Sequence, residues 1–460
     1  MPFQLVERAR HAVPITPIAE SGLGRWLAGP GKAAAAWARA TGFKAAPGAL
    51  SLVPGKNGAL QRILLGVGAE SLWSLAGLPA SLPAGTYRID LALAPEAATD
   101  AALGWALGTY RFAAYKKAPK LGASLVWPQG SDKETVLRAA ESICLARDLI
   151  NTPASDMGPA ELAAAAEAVA RRYRARFSTI VGDDLVERNY PLVHAVGRAS
   201  TRAPRLVDLV WGDAKAPKVT LVGKGVCFDT GGLDLKSAGG MLTMKKDMGG
   251  AATLLALARM IMDARLPVRL RLLIPAVENS VAGSAMRPLD VVRSRKGITV
   301  EIGNTDAEGR LILADALAEA DSEKPALIVD CATLTGAART ALGPELPALF
   351  SNDDGIANAL LAAGARVGDP LWRLPLWRPY RKMLDSKVAD INNVSDGSFA
   401  GAVTAALFLE EFVARTTPWV HIDSYAWNAK SRPGRPEGGE PLGLRALYAT
   451  IEARFGTRQG

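Results

Sequence analysis

The sequence predicts an α/β chain of two domains: a smaller N-terminal α/β domain over residues 1–125, and a C-terminal domain over 126–460 carried by a mainly parallel sheet covered by helices. Three observations lead there. A length of 460 residues exceeds the roughly 100–200 that one domain usually holds. Beyond Pro153, short and fully apolar runs alternate with helical patterns, as strands buried on both faces do in parallel sheets. Between residues 116 and 132, Lys116-Lys117, two prolines and the turn Pro128-Gln129-Gly130-Ser131-Asp132 oppose continuous packing and mark a connection between domains.

Taken in order, the N-terminal part alternates short apolar runs with turn signals, as at residues 61–68, and reaches a helical pattern over 101–115. A second helix starts near Thr135, with Val136, Ala140, Ile143 and Ile150 at helical spacing, and Asn151-Thr152-Pro153 stops it. An Ala-rich helix follows from about residue 160, then strands over 206–211 and 219–223, a helix over 249–264 and a strand over 268–274. Strands near 299–302 and 327–332 bracket a helix that sets Leu313, Ala316, Leu317 and Ala320 on one face. Residues 431–439, rich in Pro and Gly, read as a surface loop.

Composition narrows the function. With 49% hydrophobic and 22% charged residues, the chain is neither largely disordered nor collagen-like. No window approaches eighteen apolar residues, and the opening Met1–Arg8 carries an acid and no apolar run, so no membrane span or secretory signal is expected and the chain reads as cytoplasmic. Cys144, Cys227 and Cys331 are odd in number and far apart, which suits core fillers in a reducing compartment. The net charge of +9 is diffuse, and its densest cluster, residues 171–176, reads as a helix end rather than a nucleic-acid stripe. His11, His194 and His421 are too scattered for a His-built site, and His421 reads as a core residue. Chemistry must then rest on carboxylates, lysines and arginines.

Ligands collect at the carboxyl ends of parallel strands, and two loops there are loaded with charge. One follows the 219–223 strand and carries Lys224, Asp229 and Lys236, then Met244-Lys245-Lys246-Asp247-Met248-Gly249-Gly250. The other is Asn304-Thr305-Asp306-Ala307-Glu308-Gly309-Arg310-Leu311. Asp306 and Glu308 stand two apart in a segment read as extended, so they share a face, and Asp229 and Asp247 add two carboxylates from the neighbouring strand end. Any one of these acids reads equally as a cap or a turn residue. Four converging acids repel unless cations neutralise them, which makes one or two divalent ions the coherent reading of the set.

These segments resemble the leucyl (cytosol) aminopeptidase family. Val222-Gly223-Lys224-Gly225, Phe228-Asp229-Thr230-Gly231-Gly232, the 244–250 string and the 304–311 string carry the resemblance. Asn151-Thr152-Pro153, Glu278-Asn279, Arg287-Pro288, residues 332–337 and residues 401–406 extend it over roughly 135–447. It implies a metal-dependent aminopeptidase that hydrolyses the N-terminal residue from peptide substrates through a water bridging two divalent ions, Zn2+ or Mn2+. It further implies a catalytic domain with a mixed, mainly parallel sheet, assembled as a homohexamer.

By the same resemblance, the tighter metal falls to Lys224, Asp229, Asp247 and Glu308, and the exchangeable one to Asp229, Asp306 and Glu308. Lys236 would polarise the scissile carbonyl. Arg310, with backbone amides near Gly309 and Leu334, would hold bicarbonate as general base. The pocket for the N-terminal side chain would draw on Met244, Thr333 and Gly336, and on Tyr425 and Asn428, two positions that are more often small and apolar in the family. The rival readings are a nucleic-acid-binding or regulatory protein on the same scaffold, and a two-metal phosphoesterase, which the lack of His ligands disfavours.

Overall fold

A computed structural model describes residues 2–68 and 72–456; Met1, the first residue of the opening segment read above, lies outside them. The chain divides into two compact units, 1–144 with 430–437, and 145–429 with 438–460. The division falls inside the helix Lys133–Asn151 rather than at residues 125 and 126. The first turn of that helix is tied to the N-terminal unit, because Lys133 pairs with Glu7 at 2.5 Å and the Asp132 amide donates to Thr99 Oγ1.

In the first unit six strands, β1 Leu5–Val6, β2 Val13–Ile18, β3 Leu50–Pro54, β4 Leu60–Gly66, β5 Gly85–Ile89 and β6 Ala123–Val126, form one sheet in the order β1-β6-β5-β2-β4-β3. Only β3 runs antiparallel to its neighbour. β6 lies within the segment read as a connection, because alternating Ala123 and Leu125 are buried there. Helix α1 spans Pro95–Gly108 rather than 101–115. It starts at a proline suited to the first turn and stops where the Arg111 guanidinium donates to the Gly108 and Tyr110 carbonyls. Residues 430–437 join this unit, with the Arg435 guanidinium 3.9 Å from the Trp73 ring centroid.

The second unit holds helices α2 Lys133–Asn151 in its C-terminal part and α3 Pro159–Tyr173, and a nine-stranded sheet. Its strands are β7 Arg176–Val181, β8 Arg205–Trp211, β9 Lys218–Gly223, β10 Gly225–Asp229, β11 Arg269–Asn279, β12 Leu327–Ala332, β13 Ala348–Ser351, β14 Trp372–Arg373 and β15 Trp419–Asp423. The order is β14-β13-β15-β12-β9-β11-β8-β7, with β10 paired to β11. The central β15, β12, β9 and β11 are parallel, whereas β13, β8 and β7 supply the antiparallel pairings that make the sheet mixed. Fully buried Leu221 and Leu272 show why the central runs read as apolar throughout; each such side chain contributes about 1.5–3 kcal/mol by leaving water. β10 falls where the sequence reading put a loop, because the chain crosses at Lys224 and resumes pairing, Gly225 with Ala276 and Asp229 with Asn279.

Helices α4 Gly249–Asp263 and α5 Glu308–Ser322 are buried on nearly every face, and α6 Gly336–Leu342 follows β12. The start of α4 lies so close to β12 that a Cβ on Gly250 would stand 2.0 Å from the Cys331 carbonyl oxygen. Gly250→Ala should therefore destabilise the chain by about 2–3 kcal/mol, read as a lower urea midpoint at unchanged slope; wild-type stability would mean that this contact does not hold α4 in place.

Candidate active site

The carboxyl ends of β9, β10 and β12 and the starts of α4 and α5 bring the loaded loops together. Asp229 closes β10, Asp247 sits in the single turn Met244–Met248 ahead of α4, and Glu308 opens α5. Asp306 and Glu308 therefore do not share an extended segment as the spacing suggested, since the helix begins at Glu308 itself. Carboxylate oxygens of Asp229, Asp306 and Glu308 nonetheless converge within 4.8 Å of one another.

Two lysines thread this cluster. Lys224 Nζ lies 2.8 Å from Asp247 Oδ2, 3.0 Å from Glu308 Oε1 and 3.0 Å from the Thr333 carbonyl. Its side chain passes so near Gly309 that a Cβ there would meet Lys224 Cε at 2.6 Å. Lys236 Nζ is 2.9 Å from Asp229 Oδ2 and in contact with Asp306. Burial disfavours charge on both lysines, but the Asp247 and Glu308 charges beside Lys224, and Asp229 beside Lys236, hold both well above the ordinary lysine range.

The acids respond unequally. Burial, with the Asp247 charge second, pushes Asp229 up to about 6, and burial likewise drives Glu308 well upward. Burial opposes ionisation of Asp247 too, but Lys224 and Lys246 outweigh it and hold that carboxyl below its usual range. Burial brings Lys246 down to about 8 and Arg310 down to about 10.

Residues to which the sequence reading gave no supporting role fix the geometry. Asn279 Nδ2 donates to Asp229 Oδ1 at 2.9 Å and to the Thr305 carbonyl at 3.1 Å. Thr305 Oγ1 donates to the Gly231 carbonyl and accepts the Asp234 amide, which joins the two loops. Thr333 Oγ1 donates to Asp247 Oδ1 at 2.6 Å. Asn393 orders the 303–307 turn through both ends of its amide, and its carbonyl accepts from Arg310 at 2.6 Å. Asn279 stood within a matching segment, but no spacing in the sequence announced Thr305 or Asn393 as supports.

A cavity of 720 Å3 opens over the cluster. Its wall includes the five expected metal ligands and Lys236, together with Met244, Thr333, Leu334, Gly336 and Tyr425. Asn428 is not part of it: buried, it donates to Glu440 Oε2, which also pairs with buried Arg147. Gly309 and Arg310 do not line the cavity. The Leu334 amide, expected to meet an oxyanion, donates to Asp423 Oδ1 at 3.0 Å because that carboxylate also takes the Thr335 amide and hydroxyl. His421 is fully buried, with Nδ1 2.5 Å from Asp330 Oδ1, and Trp419 donates to the same carboxylate; it belongs to the core.

The donor set fits divalent cations. Asp247 Oδ2, Asp306 Oδ1 and Glu308 Oε1 are buried and accept no hydrogen bond of good geometry, although each faces a lysine. Buried acceptors seldom stay so. Oxygen donors with one amine and no thiolate or imidazole suit several exchangeable divalent ions. Arg310 Nε is likewise buried without an acceptor, which fits a small oxyanion.

Comparisons with known proteins agree with this chemistry. Residues 144–448 match the model of the cytosol aminopeptidase family, catalytic domain, and residues 13–128 match that of the M17 aminopeptidase N-terminal domain. Peptidase B from Serratia proteamaculans is 42% identical over 75% of this chain and 83% of its own length, and a probable cytosol aminopeptidase from Roseiflexus castenholzii is 40% identical over 76% and 75%. Among solved structures, the cytosol aminopeptidase from Coxiella burnetii superposes with a TM-score of 0.95 at 51% identity, covering 98% of this chain and 99% of that one. The bottromycin maturation enzyme BotP in complex with Mn gives 0.86 at 37%, covering 96% and 99%. These matches lend no support to the nucleic-acid-binding alternative. Among the described residues no helix is long and apolar enough to cross a membrane.

Mn2+ at about 100 times its Kd should stabilise the folded chain by about 2.7 kcal/mol, visible as a raised melting temperature. Asp229→Asn with Glu308→Gln should abolish the rise. A full shift in that double variant would place the metal elsewhere.

Proposed function

We propose, from the premise that this chain belongs to the cytosol aminopeptidase family, that its second unit removes the N-terminal residue of peptides with two divalent metal ions, Zn2+ or Mn2+, held in the carboxylate cluster. The chain is a metal-dependent aminopeptidase, a hydrolase of the leucyl-aminopeptidase type. The observation that carries the two-ion reading is that carboxylate oxygens of Asp229, Asp306 and Glu308 converge while buried oxygens of Asp247, Asp306 and Glu308 accept no hydrogen bond of good geometry. Lys224, Asp229, Asp247 and Glu308 would hold one ion, Lys224 only after losing the proton that the neighbouring acids otherwise keep on it, and Asp229, Asp306 and Glu308 the other, so that Asp229 and Glu308 would serve both.

When bound, two such ions supply an activated water and Lewis acidity at a carbonyl. The chain's own groups do the rest. Lys236, kept charged by Asp229, meets the negative charge that develops on the scissile carbonyl oxygen, as an oxyanion-hole donor does. Arg310 would hold bicarbonate through its unpaired Nε, at the start of α5, where the first amides of a helix favour an anion. Met244, Thr333 and Gly336 would border the N-terminal side chain. The relatives' name supports a cytoplasmic setting, and exposed Leu242, Leu289 and Phe399 support burial between copies in a homohexamer.

With Mn2+ present, mass spectrometry should find leucyl and methionyl amides cleaved and their N-acetyl counterparts intact, and chelation should stop the reaction. Equal rates on blocked and free substrates would reject the exopeptidase reading. Lys236→Ala should lower kcat by about 10²–10³-fold with metal content retained; loss of the metal instead would make Lys236 a structural cation.

A further inference from the structure

The cavity wall carries four cations and four acids: Lys224, Lys236, Lys246 and Arg339 against Asp229, Asp247, Asp306 and Glu308. Lys224 and Lys236 account for all four acids by contact. Lys246 and Arg339 are left over, and among the described residues neither makes an ion pair with a carboxylate. Both instead face the Tyr425 ring, with Lys246 Nζ 4.6 Å and the Arg339 guanidinium 4.9 Å from its centroid. Lys246 is 4% exposed. Two like charges around one ring repel, and the acids whose charges reach the buried Lys246 ammonium, Asp247 and Asp423, are already engaged by Lys224 and by Leu334 and Thr335; a ring face offsets only part of the remaining cost. A carboxylate entering beside Tyr425 would satisfy both cations at once.

We propose that Lys246, Arg339 and Tyr425 form a specificity pocket for a carboxylate, the side chain of an N-terminal Glu or Asp residue. The inference rests on the aminopeptidase reading and names its substrate class. Met244 shares the turn Met244–Met248 with Lys246, and Gly336 shares α6 with Arg339, which puts the cations beside the residues expected to border the N-terminal side chain. Tyr425 adds bulk to that wall and takes room from a long apolar side chain. The arginine fork suits a carboxylate in bidentate fashion.

The test compares glutamyl, aspartyl, glutaminyl, leucyl and lysyl p-nitroanilides on the Mn2+-loaded enzyme, with calorimetric binding of free L-glutamate against L-glutamine as a readout independent of turnover. Wild-type kcat/KM should favour glutamyl over isosteric glutaminyl by on the order of tenfold, and glutamate should bind more tightly than glutamine. Arg339 is exposed on α6, so Arg339→Met should fold normally and bring both ratios toward one, while Arg339→Glu should favour the lysyl substrate. Lys246→Met should reduce the same ratios. Equal handling of glutamyl and glutaminyl substrates by the wild type, or ratios unchanged in every variant, would overturn the proposal. So would a preference that follows a free C-terminal carboxylate, seen as Leu-Gly cleaved faster than its amide with no Glu effect. Hydrolysis of none of the amides would instead reject the aminopeptidase reading, and this inference with it.

Discussion

Concentrated negative charge at the strand ends is the constraint around which the catalytic unit is organised. Four carboxylates lie together, Asp229, Asp247 and Glu308 among them buried, where their mutual repulsion is strong. Lys224 and Lys236 are each set between two of the acids, and neither lysine is replaceable by a neutral group without leaving charge unbalanced. The position of Lys224 in turn requires Gly309, since any side chain at 309 would occupy the path of the lysine stem. Packing and electrostatics are thus one problem here: the helix that presents Glu308 must also leave room for the cation that Glu308 holds.

Precision comes from neutral groups. Asp229 and Asn279 end adjacent strands in register, so the sheet itself sets the distance between a carboxylate and its amide donor. Asn279 also holds the Thr305 carbonyl, and Thr305 ties the Asp306 turn to the loop after Asp229. Asn393 does the same for the start of α5 from a separate stretch of chain. These amides and hydroxyls carry no charge to add to the cluster, and their directional bonds keep the acids from relaxing apart.

Much of the architecture was legible in the sequence because buried parallel strands and helices have distinct periods. The apolar runs at 206–211, 219–223 and 327–332 became β8, β9 and β12 with shifts of at most a residue. Charged residues beside glycines likewise flagged both site loops. What escaped depended on contacts distant in the chain. β10 hides within a charged stretch, because its pairing with β11 is invisible to local patterning. Asp306 and Glu308 suggested an extended pair, since Ala307 holds the cap position of α5 and no Ser or Asp stands there to announce the helix. Asn428 read as a pocket residue, yet Glu440 and Arg147 draw it into a buried polar group. Lys246 and Arg339, 93 positions apart by their numbers, gain meaning only once Tyr425 lies between them.

The eight residues 430–437 belong to the first unit although they come near the end of the chain. Synthesis runs from the N-terminus, and domains that are continuous in sequence can close while the ribosome is still working. Here the first unit waits for residue 437, after Arg435 has emerged to cover Trp73. The second unit is also split by this excursion, so neither unit can close before the chain has passed residue 437.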